Sequence, residues 1–232
     1  MEMFAGTSGY DFDGWKGHFY PEDLPRDRRL AHYAAHLPTV EINYSFYRMP
    51  SAGTLQAWAE HVPESFRFVM KASQRITHRG RLADAPSTAF FAERVSLLGP
   101  RLGPVLVQLP PFFRKDAERL RIFLSSLPAH VRPAVEFRHK SWFDDEVRSI
   151  LAEAKAALCL ADDGELDCPE WATAEFGYLR LRRENYDDAA LRDWAAKVRA
   201  MPWTRCFAFF KHEEAAVGVR LAKRWMELAA GA

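Results

Sequence analysis

Eight short strand-like runs recur along this chain, and helix-like runs separate most of them. That alternation leaves few folds open, because strand–helix repeats build parallel sheets with helices packed outside. The strands are expected near Met3–Ser8, Thr39–Asn43, Phe66–Lys71, Pro104–Leu109, Pro133–Arg138, Ala157–Asp162, Gly177–Arg182 and Thr204–Phe210. Helical patterns fall at Asp27–His36, Ala52–His61, Ser87–Leu98, Asp116–Leu127, Asp144–Ala154, Ala189–Arg199 and Ala215–Ala230. Ser87 and Asp187 stand where helix caps are expected. Leu191, Trp194, Ala195 and Val198 share one helical face. The stretch DGELDCPEWATAE, after the sixth strand, has no helical period and reads as a loop.

Eight strands in 232 residues predict a single compact TIM (β/α)8 barrel, slightly shorter than the roughly 250 residues usual for that fold. An open doubly wound sheet is the competitor. It calls for a glycine-rich phosphate turn after the first strand, and Gly6-Thr7-Ser8-Gly9 is followed by Tyr10 and Asp11 rather than by GxGxxG and a helix. No internal repeat or linker divides the chain. A hydrophobic fraction of 48% is enough for one large core.

The strands are apolar where they start and polar where they end. The second reads VEINY, with Glu41 and Asn43 on one face. A barrel strand is buried on both faces, so a carboxylate there needs a partner or a place at the open mouth. The third strand ends in Lys71, the fourth in Gln108, and the fifth in Glu136 and Arg138. The sixth ends in Asp162, the seventh carries Arg180 and Arg182, and the eighth runs into Lys211 and His212. Catalytic groups of this fold sit at that end. The expected catalytic set is therefore Glu41, Lys71, Glu136 and Asp162. Asn43, His78, Gln108, Arg138, Arg180 and Trp142 are expected to bind substrate.

Two carboxylates facing across a pocket can divide acid and base roles. Lys71 could polarise an oxygen or, if desolvated, form a Schiff base. Arg138, Arg180 and Arg182 suit a phosphate or carboxylate. Tyr10, Trp15, Tyr20, Tyr44, Tyr47 and Trp142 fall in loops near the mouth and suit stacking on a sugar or base, or packing as a lid. The carboxylates with His78, His139 and His212 would suit Mg or Mn better than zinc. The adjacent cations compete for the same oxygens, so no metal ligand is assigned. The competing structural reading is an ion-pair plug that holds the mouth together without chemistry.

The strings GTSGYDFDGWKGHFYP, TVEINYSFYRMP, FRFVMKASQRITH, LGPVLVQLPPFF, AVEFRHKSWF and CLADD follow one another from Gly6 toward Trp225. In this order they resemble the YecE-like family, domain of unknown function 72. The Glu-Ile-Asn strand, the Thr-His after the third strand and EFRH–SW carry the resemblance. It implies a TIM barrel and no established activity; sugar isomerases and endonuclease IV-like barrels are suggested as structural relatives. RLRREN at Arg180–Asn185 and FFKHEE at Phe209–Glu214 depart from the RLHG and Asn-rich turns of many members and make this mouth more basic.

The expected partner is a small polyhydroxylated or phosphorylated substrate, acted on in an isomerase- or hydrolase-like way. One rival is nucleic-acid binding or phosphodiester cleavage, suggested by Lys211, Arg182 and Arg183 beside Tyr186. A formal net charge of +1 gives it no support from the bulk chain. The other rival is a non-catalytic ligand-binding protein. Three dispersed cysteines and an N-terminus without a basic, apolar leader point to a reducing cytoplasm.

Overall fold

The computed structural model describes residues 1–230. Its eight strands are β1 (Glu2–Thr7), β2 (Thr39–Ile42), β3 (Arg67–Lys71), β4 (Leu102–Gln108), β5 (Pro133–Glu136), β6 (Ala157–Asp162), β7 (Phe176–Leu181) and β8 (Arg205–Phe210). They form one parallel sheet in the order β1-β8-β7-β6-β5-β4-β3-β2. The sheet curls into a TIM-type barrel whose last junction, β1 to β2, is a single bridge between Ser8 and Glu41.

The helices around it are α1 (Arg29–Ala34), α2 (Ala52–Glu60), α3 (Ala85–Ser96), α4 (Ala117–Ser126), α5 (Asp145–Glu153), α6 (Asp188–Ala200) and α7 (Val217–Ala230). Side chains of Ser51, Asp84, Asp116, Asp144 and Asp187 cap five of them by accepting a backbone N–H three residues on. Asp187 is the cap expected. Ser87 is not: α3 begins earlier, with Asp84 as cap, and Ser87 donates its N–H to Asp84. α1 is shorter than its pattern because Pro25 leads into a 3-10 turn at Arg26–Arg28. Residues 163–175, between β6 and β7, form no helix.

Phe4, Val69, Leu106, Cys159, Tyr178 and Phe209 pack as an apolar cluster inside the barrel. They fix which residues of each strand point inward. On β6, Ala157 and Cys159 face in, so the inward place at its end goes to Ala161 and Asp162 faces the helices.

The β1–β2 seam is stitched by a side chain. The hydroxyl of Tyr33, on α1, accepts from Thr7 N at 2.9 Å and donates to Thr39 O at 3.0 Å. It thus satisfies a donor and an acceptor that the missing ladder would leave bare. Gly6 permits the approach: a Cβ there would lie 2.0 Å from Thr39 O. Among the described residues, no helix is long and apolar enough to cross a membrane.

Candidate functional site at the barrel mouth

The strand ends converge on a hydrogen-bonded chain of polar groups. Lys71 Nζ donates to Gln108 Oε1 at 2.8 Å, and Gln108 Nε2 donates to Glu136 Oε1 at 2.8 Å. Arg180 then bridges two carboxylates, donating to Glu136 Oε2 and to Glu41 Oε1, each at 2.7 Å. Glu41 also accepts from Ser8 Oγ at 2.8 Å, Asn43 Nδ2 at 3.1 Å and Tyr178 OH at 2.6 Å. Glu41 and Glu136 are 0% and 1% exposed. With Arg180 they form a buried ion-paired layer at the strand ends, which Asp162 and Lys71 do not join.

Electrostatics hold that layer together. Burial alone would push the Glu41 carboxyl up. The Arg180 charge and hydrogen bonds from Tyr178, Arg180 and Ser8 outweigh burial and hold it below the usual range. Burial would likewise lower the Arg180 guanidinium, and the two carboxylates raise it instead.

Lys71 is placed differently. Its Nζ sits 4.3 Å from the centroid of the Phe46 ring. Gln108 is its hydrogen-bond partner, and it makes no ion pair among the described residues. Burial, and then the Arg180 charge, push its ammonium down to about 8 against the pull of Glu41 and Glu136.

Above this layer opens a cleft of about 780 Å³. Its aromatic lining is Tyr10, Phe12, Tyr44, Phe46, Tyr47 and Trp58; Tyr44 and Tyr47 are exposed. Its polar and cationic lining includes Asn43, Lys71, Gln108, Arg138, Arg180, Arg182 and Lys211. Arg138 pairs outward with Glu165, and Arg182 stands 3.7 Å from Glu136 Oε1. Asp11 and Glu213 are the acidic residues of the lining, and Asp11 is held by Arg26 at 2.8 Å. Within the protein, Asn43 Oδ1 and the Nε atoms of Arg138, Arg180 and Arg182 have no hydrogen-bond partner.

Asn43, Lys71, Gln108, Arg138 and Arg180 thus meet in one cleft, as strand parity predicts, with Glu41 and Glu136 directly below. Three expected site residues lie elsewhere. Asp162 is outside the barrel, where it accepts from Arg183 Nε at 2.7 Å, Tyr186 OH at 2.9 Å and Trp194 Nε1 at 3.0 Å. It ties the end of β6 to α6. Trp142 is fully buried, donates to Phe113 O at 2.7 Å and stacks on Phe137 at 4.8 Å. It therefore presents no face to a ligand. His78 follows β3 on a π-turn at Arg75–Arg79 and stands behind Phe46, its ring edge-on at 4.9 Å. Burial and then the Lys71 and Arg138 charges lower its pKa.

Of the six aromatics expected at the mouth, Tyr10, Tyr44 and Tyr47 line the cleft, while Trp15 and Tyr20 join Trp142 in the core. Ser8, Phe46 and Trp58 were not legible as site residues. Ser8 shares the inward parity of Phe4, which was the available signal.

The groups considered for Mg or Mn are dispersed. Glu41 and Glu136 are engaged by Arg180, Asp162 faces outward, and His212 bonds to Arg183 O at 2.6 Å. Among the described residues no three His, Cys, Asp or Glu stand together as a metal would need. The residues present do not fit such an ion at the mouth.

A family model described as "Protein of unknown function DUF72" matches residues 4–232. The UPF0759 protein YunF of Bacillus subtilis (strain 168) is 33% identical over 141 residues, which are 56% of this chain and 50% of YunF. The UPF0759 protein YecE of Escherichia coli (strain K12) is 34% identical over 116 residues, 49% of this chain and 43% of YecE. The matched stretches thus span about half the length of these curated relatives. A DUF72 family protein of Thermotoga maritima MSB8 superposes with a TM-score of 0.85 at 23% identity, covering 99% of this chain and all 100% of that one. A DUF72 family protein of Enterococcus faecalis V583 gives 0.82 at 19% identity, covering 99% and 96%. These superpositions establish the shared fold.

Proposed function

The chain belongs to the DUF72 family, described only as of unknown function, and from the chemistry of its own barrel mouth we propose an enzyme acting on a small anionic, polyhydroxylated molecule such as a sugar phosphate. The carrying observation is the excess of cations over acids among the residues that line one cleft, Arg26, Lys71, Arg138, Arg180, Arg182 and Lys211 against Asp11 and Glu213, in a chain whose formal net charge is +1. Arginine forks suit phosphate or carboxylate oxygens. The amides of Asn43 and Gln108 suit hydroxyls, and the rings of Tyr44, Phe46 and Tyr47 suit the apolar face of a sugar ring. The cleft volume of about 780 Å³ falls within the small-molecule range.

Glu41 and Glu136 do not act on substrate in this reading; they orient Arg180 and Gln108. Lys71 is a group on the cleft that burial brings near working pH, pushed to about 8, and it is the residue that engages the substrate's reacting carbonyl, as sugar isomerisation requires. Nucleic acid is the weaker partner class, because Tyr186 is buried against Asp162 and offers no stacking face beside Arg182 and Arg183.

Inorganic phosphate and sugar phosphates should raise the melting temperature. Ligand at a hundred times its Kd adds about 2.7 kcal/mol, which for a protein of this size is a shift of roughly 5–10 °C. The Arg138→Ala/Arg182→Ala variant should lose most of the shift. A wild-type protein indifferent to millimolar phosphate and to sugar phosphates would overturn the proposal.

A further inference from the structure

We infer that Lys71 forms a Schiff base with the carbonyl carbon of an aldehyde or ketone that carries a phosphate or carboxylate group. This rests on the anion-binding reading above and deepens it by naming the substrate class and the bond.

The geometry supports a nucleophile rather than a counterion. Lys71 lines the open cleft, yet the residue is only 9% exposed. Gln108 Oε1 takes one N–H at 2.8 Å, and the Phe46 ring closes another side at 4.3 Å. The carboxylates that could quench the amine, Glu41 and Glu136, are both drawn away by Arg180. Arg182, Arg138 and Lys211 line the same cleft and can hold the anionic end of a short substrate. The depressed amine is consistent with this: with its ammonium near 8, its neutral fraction at neutral pH is about two-hundredfold above that of an ordinary lysine near ~10.4.

The step balances without a co-reactant. The neutral amine lone pair attacks the carbonyl carbon as the C=O π pair moves to oxygen. The nitrogen loses a proton and the oxygen gains one, giving a carbinolamine. Its hydroxyl takes a further proton from solvent in the cleft and leaves as water, forming the C=N bond as an iminium. The iminium withdraws electrons from the neighbouring carbon, which serves isomerisation or carbon–carbon cleavage there.

The test uses pyridoxal phosphate and glyceraldehyde 3-phosphate as probes on the full chain, with cyanoborohydride reduction and peptide mapping by mass spectrometry. One dominant adduct is expected at Lys71, at least about tenfold above exposed Lys16, Lys140 and Lys155. It should disappear in Lys71→Arg. Inorganic phosphate should slow its formation in the wild type, a readout that does not depend on the variant folding. Adducts spread over exposed lysines, in a protein that phosphate still stabilises, would overturn the Schiff base and leave the anion site standing. Spread adducts with no phosphate stabilisation would overturn both.

Discussion

Arg180→Met should destabilise the protein by about 3–5 kcal/mol at neutral pH, the usual result of stranding buried charge. The substitution removes the partner shared by Glu41 and Glu136, whose oxygens each lie 2.7 Å from the guanidinium. A methionine of similar length fills the space but satisfies neither carboxylate. The pH dependence should invert as well. In the wild type, burial pushes the Glu41 carboxyl up, but Arg180 and its hydrogen-bond donors hold it low. That contribution is fully present above the unfolded carboxyl pKa near ~4.3 and is lost as pH falls through the lower folded value. In the variant burial prevails, the folded pKa rises, and protonation relieves the strain. The gap between wild type and Arg180→Met should therefore narrow from about pH 8 to about pH 5 in urea melts. A gap that is small, or constant with pH, would show that Arg180 does not neutralise the floor of the mouth.

Gly6→Ala should be at least as damaging, at roughly 4 kcal/mol or more, or should abolish folding. Its Cβ would meet Thr39 O at 2.0 Å and Thr39 C at 2.8 Å, both backbone atoms of the neighbouring strand. β1 and β2 would be forced apart at their one bridge, and with them the Tyr33 hydroxyl link and the Ser8–Glu41 hydrogen bond. Gly53→Ala is the control. Its Cβ meets nothing within 4 Å inside α2, so helix propensity alone should stabilise it by up to about 1 kcal/mol. Equal thermal stability of Gly6→Ala and wild type would refute the close seam.

Strand alternation made the inward set at the mouth legible: Lys71, Gln108, Glu136 and Arg180 needed only a count by twos from the apolar interior of their strands, while Asn43 follows Glu41 just past the end of β2. Asp162 failed that count for a physical reason. ALCLAD is apolar on both faces until its end, so β6 has no phase of its own. Its orientation comes from pairing with β7, where Cys159 stands opposite Tyr178. Trp142 was misplaced because a buried aromatic and a stacking platform read alike; one partner, Phe137, lies five residues back in its own loop, and the other, Phe113, comes from the loop after β4. The depth of Glu41 and Glu136 was also hidden. Alternation tells which face a carboxylate takes, and only the reach of Arg180 across the barrel shows that both are sealed below the cleft. Nothing local to α1 marks Tyr33 as a strand substitute, since the hydroxyl finds its partners on β1 and β2.

On the proposed function, Lys71 is an anion-responsive amine at this mouth. NMR titration of lysine side chains, with Lys71→Met assigning the resonance, tests it most directly. One lysine should titrate with a midpoint near 8 and vanish from the spectrum of the variant. Phosphate should move that midpoint upward, because an anion bound beside the amine favours its protonated form. A Lys71 midpoint close to the ordinary ~10.4, or a depressed one that phosphate leaves unmoved, would rule out that role for Lys71.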